Sequence, residues 1–276
     1  MVALLKEGFL RVIHSKWFRI ILIVNVSICV FLLLTIYGLA DMLKEIINTT
    51  GGGIPGFGDE NIISLFSLQA FIKAIGALGS VELTLVTIGI AKFICDDFSD
   101  GTIRNKILAG KERAQIYLSN TIVSITLFFV MGLSSLVIYL TLGNLLMGFN
   151  GSFGEVLSEI TATMGLQLVI SLFWISLVIM VSMLTRKAST TLIVVLLIEF
   201  LLPGILSFLL SIVSLGGTSN WASEVLNNWI PFGQSSSLML WPIQNSLAYK
   251  VLLVNIPLIG IFNVWGFVAF NKADIK

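Results

Sequence analysis

The chain has 276 residues, of which 57% are hydrophobic and only 11% are charged. Soluble domains carry about 25% charged residues, so this composition argues against a soluble protein. The net charge of +1 points to no charged partner, and we expect no nucleic-acid binding. The two cysteines and the single histidine are too few and too scattered for a metal site, and the sequence assigns no cofactor or metal to this chain.

Six apolar runs are long enough to cross a bilayer, since a spanning helix needs about 20 apolar residues. Backbone groups in lipid must be satisfied within the segment, so each run is predicted to be a helix. The predicted spans are residues 17–40, 74–94, 117–147, 160–184, 190–214 and 249–270. Pro203-Gly204 is expected to bend the fifth span. The predicted fold is an all-α integral membrane protein with one membrane domain over residues 1–276.

Two segments outside the spans are expected to lie on the membrane surface. Residues 1–16 show helical spacing of apolar residues, which favours an interfacial helix over a frayed basic terminus. The apolar positions are Leu5, Phe9, Val12 and Ile13, with Glu7, Arg11 and His14 opposite. The segment 215–248 is rich in tryptophan, which prefers the interface, and short outer interfacial helices are predicted there, before the sixth span.

The distribution of basic residues predicts the orientation. With six spans, all of the 16 Lys and Arg residues except Lys44, Lys73 and Lys250 fall on one side. The positive-inside rule makes that side cytoplasmic. Both termini are therefore predicted to be cytoplasmic, in a multi-pass protein of the cell (plasma) membrane.

The segment that follows the second span carries the most information about function. Ser99 or Asp100 is a candidate helix cap, and Gly110 is a candidate left-handed end. The two turns between them place Ile103 and Ile107 on one face, and Arg104, Asn105 and Lys106 point elsewhere. We expect a short capped helix that exposes its isoleucines and arginine to a soluble partner. The alternative is a plain connector made basic by the positive-inside rule.

Residues 98–113, FSDGTIRNKILAGKER, resemble the loop between the second and third helices of type-2 ABC exporter permeases. Asp97 stands where that family usually has glutamate. The order of predicted segments is also similar to the family's: a surface helix, six spans, a cytoplasmic coupling helix between the second and third, and an elaborated segment before the sixth.

The resemblance implies the membrane-spanning permease subunit of an exporter that is not itself an enzyme. It implies a cytoplasmic nucleotide-binding ATPase as partner, with ATP and Mg on that separate chain, and a second permease, as a homodimer or heterodimer. The implied coupling residues are Asp97, Gly101, Thr102, Ile103, Arg104, Lys106, Ile107 and Leu108. No G-x-x-x-x-G-K-[ST] segment occurs in the sequence. An amphipathic or hydrophobic cargo (peptide, drug or lipid-like) and a bacterial source are expected.

Two carboxyl side chains, Glu82 and Glu199, fall near the middle of predicted spans. Acidic residues at that depth are costly and often functional, so both are candidates for a pathway or subunit interface. The alternative is a neutral form that is hydrogen-bonded to Ser or Thr of neighbouring helices. Two other functions stay open: a peptide-binding immunity or receptor protein without transport, and an ion-coupled secondary transporter.

Overall fold

The computed structural model describes residues 1–50, 68–147, 153–215, 224–225, 227–238 and 245–273. Every regular element within these ranges is helical, as predicted. Much of the tryptophan-rich segment predicted to be interfacial, residues 215–248, lies outside the described residues.

The described helices follow the apolar runs, with a short helix between the second and third long ones. They are α1 Val2–His14, α2 Lys16–Thr50, α3 Leu68–Ser99, α4 Thr102–Leu108, α5 Arg113–Met147, α6 Phe153–Thr185, α7 Ala188–Leu196, a π-helical turn Leu197–Leu201, α8 Leu202–Leu215, α9 Pro231–Ser237 and α10 Asn245–Asn271.

Five stretches of the described helices are long and apolar enough to cross a membrane. They are Lys16–Thr35, Arg113–Gly143, Thr161–Thr185, Ala188–Leu209 and Ser246–Asn271, which overlap five of the six predicted spans. The architecture is that of an all-helical, multi-pass membrane protein. The other predicted span, 74–94, falls within α3 and stays a prediction.

Helix α6 lies at the centre of the bundle. Its membrane-length stretch is 72% buried, against 17–28% for the other four stretches. Helix α10 packs closely along α6 because Gly266 has no side chain: a Cβ there would stand 3.1 Å from the Met180 Cα and 2.9 Å from the Tyr117 hydroxyl. Small residues permit such close approach of helices in lipid.

Amide and hydroxyl side chains connect the long helices inside the bundle. Asn25 of α2 donates to the Ser135 hydroxyl of α5 at 2.8 Å. Asn263 of α10 donates to the Ser176 hydroxyl of α6 at 2.8 Å. Groups of this kind need partners away from water, so they fix the rotation of each helix against its neighbour.

A π-helical turn, Leu197–Leu201, ends two residues before Pro203, where a bend of the fifth span is expected. Pro203 has no N–H, so the Glu199 carbonyl lacks its usual helical partner. The helical turn there contains one residue more than an α-helical turn, as π-helical turns within α-helices do. Glu199 therefore lies on a π-helical stretch where the regular hydrogen-bond ladder of a spanning helix is interrupted.

Candidate functional site

The connection from α3 to α4 is set by a glycine rather than by a polar cap. Gly101 precedes α4 with a φ of 69°, a left-handed conformation that suits glycine. No side chain caps this end, and Ser99 donates instead to the Asp96 carbonyl at 3.2 Å. The prediction that Ser99 or Asp100 caps the helix is therefore wrong, because the chain turns too sharply at Gly101 for either side chain to reach the first turn.

The other end of α4 is as predicted. Gly110 has a φ of 76°, and its N–H donates to the Ile107 carbonyl at 2.9 Å. The Lys111 N–H donates to the Lys106 carbonyl at 3.1 Å. These two bonds make the paired closure of a Schellman motif. The two left-handed glycines, one at each end, fix α4 as a separate short helix with a defined direction.

The faces of α4 differ from the expectation. Ile103 is 1% exposed, and the half-buried Ile107 packs against the same core, so the isoleucine pair faces the protein's own bundle. Burying the apolar side chains of the two isoleucines against the ends of the long helices is more favourable than leaving them exposed to solvent. The outward face instead carries Arg104 and Leu108, the latter 75% exposed.

The prediction that Lys106 points away from the isoleucine face is also wrong, because Lys106 and Ile103 are both buried. The Lys106 side chain is 8% exposed, and its Nζ lies 3.4 Å from Asp97 Oδ2 and 3.2 Å from Glu7 Oε1. The lysine stem runs along apolar surface while its ammonium reaches two carboxylates. The remaining site residue, Thr102, is half-buried at the first position of the helix.

Asp97 is the centre of a cluster of four charged side chains and one amide that we call the Asp97 cluster, formed by Glu7, Arg11, Asp97, Lys106 and Asn120. The Asp97 side chain is fully buried at the end of α3 and pairs with the Arg11 guanidinium of α1. Asn120 of α5 donates to Asp97 Oδ2 at 3.4 Å. A buried carboxylate needs such compensation, because an uncompensated charge costs several kcal/mol.

The charges of the Asp97 cluster balance, with two carboxylates and two cations. The Arg11 guanidinium also lies 4.6 Å from the centre of the Phe93 ring, so an aromatic face covers part of it. Burial lowers the pKa of Arg11 from its ordinary value, and nearby Glu7, Asp96 and Asp100 offset part of that shift. Burial likewise lowers the pKa of Lys106, with Glu7 acting in the opposite direction.

These contacts overturn part of the predicted faces of α1. Glu7 and Arg11 point towards the Asp97 cluster rather than away from the bundle. The core face contains Leu4, Gly8 and Val12. Gly8 lets α1 approach α5, since a Cβ there would lie 2.9 Å from Val123 Cγ2. The interfacial position of α1 stays a prediction.

The Asp97 cluster joins four helices at one end of the bundle: α1, α3, α4 and α5. Sequence reasoning selected Asp97 and Lys106 but missed Glu7, Arg11 and Asn120 as their partners. The only sequence signal was the pair of acidic residues at the end of a long apolar run, which required cations nearby. Nothing local in the sequence identified Arg11, 86 positions earlier, as one of them.

The two glutamates predicted to lie within the membrane have different neighbours. The Glu82 carboxyl faces α5, where its Oε1 would be 3.1 Å from a Cβ on Gly132. Glu199 is buried, and its Oε1 accepts a hydrogen bond from Thr84 of α3 at 2.6 Å. Glu199 therefore contacts a hydroxyl of a neighbouring helix, as one of the two interpretations predicts.

In the described part of the chain, few side chains are arranged for chemistry other than ion pairing. No group of three His, Cys, Asp or Glu side chains there could hold a metal ion. Cys29 and Cys95 are buried and unbridged. Known protein families provide no match for the chain, and no characterised protein is significantly similar to it.

Proposed function

We propose that this protein is the membrane-spanning permease subunit of an ATP-driven exporter. The observation that carries the proposal is α4, a short helix that follows the second predicted span and presents Arg104 and Leu108 outward. Its inner face is anchored through Ile103 and Lys106. A helix that is fixed in this way passes a displacement by a bound partner on to the bundle. A flexible connector would change its own conformation instead.

The resemblance of residues 98–113 to the coupling loop of type-2 ABC exporter permeases supports the same function. On this proposal a cytoplasmic ATPase docks on α4, binds ATP and Mg in its own chain, and drives a pair of permeases in the cell membrane. The second permease is a copy of this chain or a relative. Both termini and α4 lie on the cytoplasmic side, since that side carries the excess of Lys and Arg.

On this proposal the partner meets the exposed residues of α4 rather than its isoleucines. Ile103 and Ile107 serve the protein's own core, so their loss would destabilise the chain whether or not a partner exists. Arg104 and Leu108 are exposed and can be changed without removing a contact of the fold. Arginine is one of the residue types enriched among those that contribute most of the binding energy at protein interfaces.

The test is co-purification of tagged protein from its native membranes in mild detergent, with mass spectrometry and ATPase activity measured on the eluate. We expect a nucleotide-binding subunit to co-purify with the unchanged protein and to be lost with Arg104→Glu or Leu108→Asp. Arg19→Glu is the matched control, because it makes the same change of charge at an exposed site of α2 at the same end of the bundle. An eluate without an ATPase, or equal loss in the Arg19 variant, would contradict the proposal.

A further inference from the structure

A cavity of about 420 Å³ lies between α3, α6, the π-helical turn and α9. Its walls include Thr84, Trp174, Glu199, Phe200 and Phe232. The volume falls within the range of about 300–1,000 Å³ that small-molecule sites occupy. The cavity is therefore large enough for an organic ligand and differs in position from the Asp97 cluster.

The position of the cavity follows from the directions of the helices. Helix α10 ends beside Arg113, which starts α5 just after α4, and it begins near α9, where Gln234 accepts a hydrogen bond from Asn255 at 2.7 Å. Helix α9 thus lies at the end of the bundle opposite α4. The cavity extends from the middle of the bundle, at Glu199, towards that opposite end.

Among the described residues that line this cavity, Glu199 is the one acidic residue. It is 6% exposed, and its Oε2 has no hydrogen-bond partner among the residues that the structure describes. None of the ion pairs formed within the described ranges includes this carboxyl group. Rotation about the terminal torsion, which is broad in glutamate, can turn either oxygen towards a ligand.

A buried carboxyl group in a membrane-length helix is costly, because it loses the water that would solvate its charge. A cation that entered the cavity would supply the counter-charge that the described neighbours of Glu199 do not. An anion would be repelled, and a neutral apolar molecule would leave the carboxyl as poorly compensated as before. Charge complementarity therefore favours a cationic ligand.

The remaining walls show what kind of cation fits. Trp174 is buried in the wall, while Phe200 and Phe232 are 64% and 43% exposed. Aromatic faces attract cations and also accept apolar bodies. A metal ion would need several ligating oxygens or nitrogens, and no suitable group of three acidic, His or Cys residues occurs in the described part of the chain. The lining suits an organic cation with an apolar or aromatic body.

We propose that the cavity between α3, α6, the π-helical turn and α9 binds hydrophobic organic cations, with the Glu199 carboxylate as counter-ion and Trp174, Phe200 and Phe232 around the apolar body. The proposal concerns equilibrium binding by this chain alone, so it holds or fails independently of the ATPase partner.

The test uses the full chain in lipid nanodiscs and two radiolabelled ions of the same shape and opposite charge, tetraphenylphosphonium and tetraphenylborate. Binding to empty nanodiscs is subtracted from each. We expect saturable binding of the phosphonium near one per chain and no saturable binding of the borate. Equal saturable binding of both ions would overturn the proposal, because apolar partitioning would then explain the signal.

Three variants locate the site. Glu199→Gln is expected to weaken phosphonium binding at least about tenfold, since it removes the charge of a buried partner. Glu82→Gln removes the other intramembrane carboxyl, which faces α5, and should leave the affinity unchanged. Phe232→Leu keeps the apolar bulk and should weaken binding about threefold, and it still tests the site if Glu199→Gln fails to fold. Equal effects of the two glutamine variants, or no effect of Phe232→Leu, would contradict the assignment.

Discussion

Replacement of Asp97 by asparagine removes the charge at the centre of the Asp97 cluster while it keeps the size of the side chain. The buried carboxylate compensates Arg11, which is 31% exposed, and Lys106, which is 8% exposed. Removing one partner of a buried ion pair costs about 3–5 kcal/mol. Arg11 is partly solvated and Lys106 keeps Glu7 at 3.2 Å, so we discount this to about 2–3 kcal/mol.

The assay is thermal unfolding of the purified protein in detergent. For a chain of this size a loss of 1 kcal/mol lowers Tm by about 2–4 °C, so Asp97→Asn is expected to lower it by about 5–10 °C. Hydrogen exchange provides a local measurement, because loss of the Arg11 contact should speed exchange in α1 more than in α6. That difference would separate release of α1 from general loosening of the bundle.

The neighbouring residue provides a matched control. Asp96 pairs with Lys92 at 2.8 Å, but these side chains are 29% and 47% exposed. An exposed pair four residues apart on a helix contributes about 0.3–0.5 kcal/mol, so Asp96→Asn should lower Tm by under about 2 °C. If the two asparagine variants lowered Tm equally, or if exchange in α1 were unchanged in Asp97→Asn, the reasoning about the buried cluster would be refuted.

Three further predictions concern packing, helix ends and pH. Gly266→Ala should destabilise the protein by about 1–3 kcal/mol, since its Cβ meets the Met180 backbone, whereas Gly260→Ala on the same helix meets nothing within 4 Å and should not lower Tm. Arg113→Met should lower the free energy of unfolding by about 1–2 kcal/mol, because the guanidinium donates to three carbonyls at the end of α10 at 2.6–3.2 Å. The substitution should also speed hydrogen exchange at the end of α10. Unchanged exchange there would contradict this role. Burial lowers the pKa of Lys106, so unfolding takes up a proton between that lowered pKa and 10.5, and the free energy of unfolding should rise with pH across this window. Lys106→Met should remove that rise in thermal unfolding measured over alkaline pH, and an identical pH profile in the variant would exclude Lys106 as its source.

The helices could be predicted from the sequence because their cause is local. An apolar run of membrane length admits one backbone solution, so the ends of α2, α5, α6 and α10 lie within several residues of most of the predicted bounds. The left-handed end of α4 at Gly110 was predicted for the same reason, since only glycine adopts that conformation freely. Features that depend on a single stretch of chain are the ones that sequence reasoning recovered.

The direction in which α1 and α4 face could not be predicted from their own residues. Each short helix carries both apolar and charged positions, and its spacing alone cannot show whether a charge meets water or a buried partner. The buried Asp97 determines how both helices face, because its carboxylate pairs with Arg11 of α1 and Lys106 of α4. The close approach at Gly266 was missed for a related reason, as a glycine in an apolar helix gives no sign of which helix it will contact.

Helix α3 contributes a residue to each of the two candidate sites. Asp97 lies at one end of α3, within the Asp97 cluster, and Thr84 lies roughly 20 Å away along the same helix axis, where it donates to Glu199. A partner that displaced α4 would pull on Asp97 through Lys106 and so shift or rotate α3, since the ion pairs are costly to break. That movement would change the Thr84–Glu199 hydrogen bond, in the wall of the cavity. The π-helical turn at Glu199 can accommodate it, because an interrupted ladder resists a change of register less than a regular helix. On the proposed function, α3 is therefore the element through which events on the α4 surface reach the cavity.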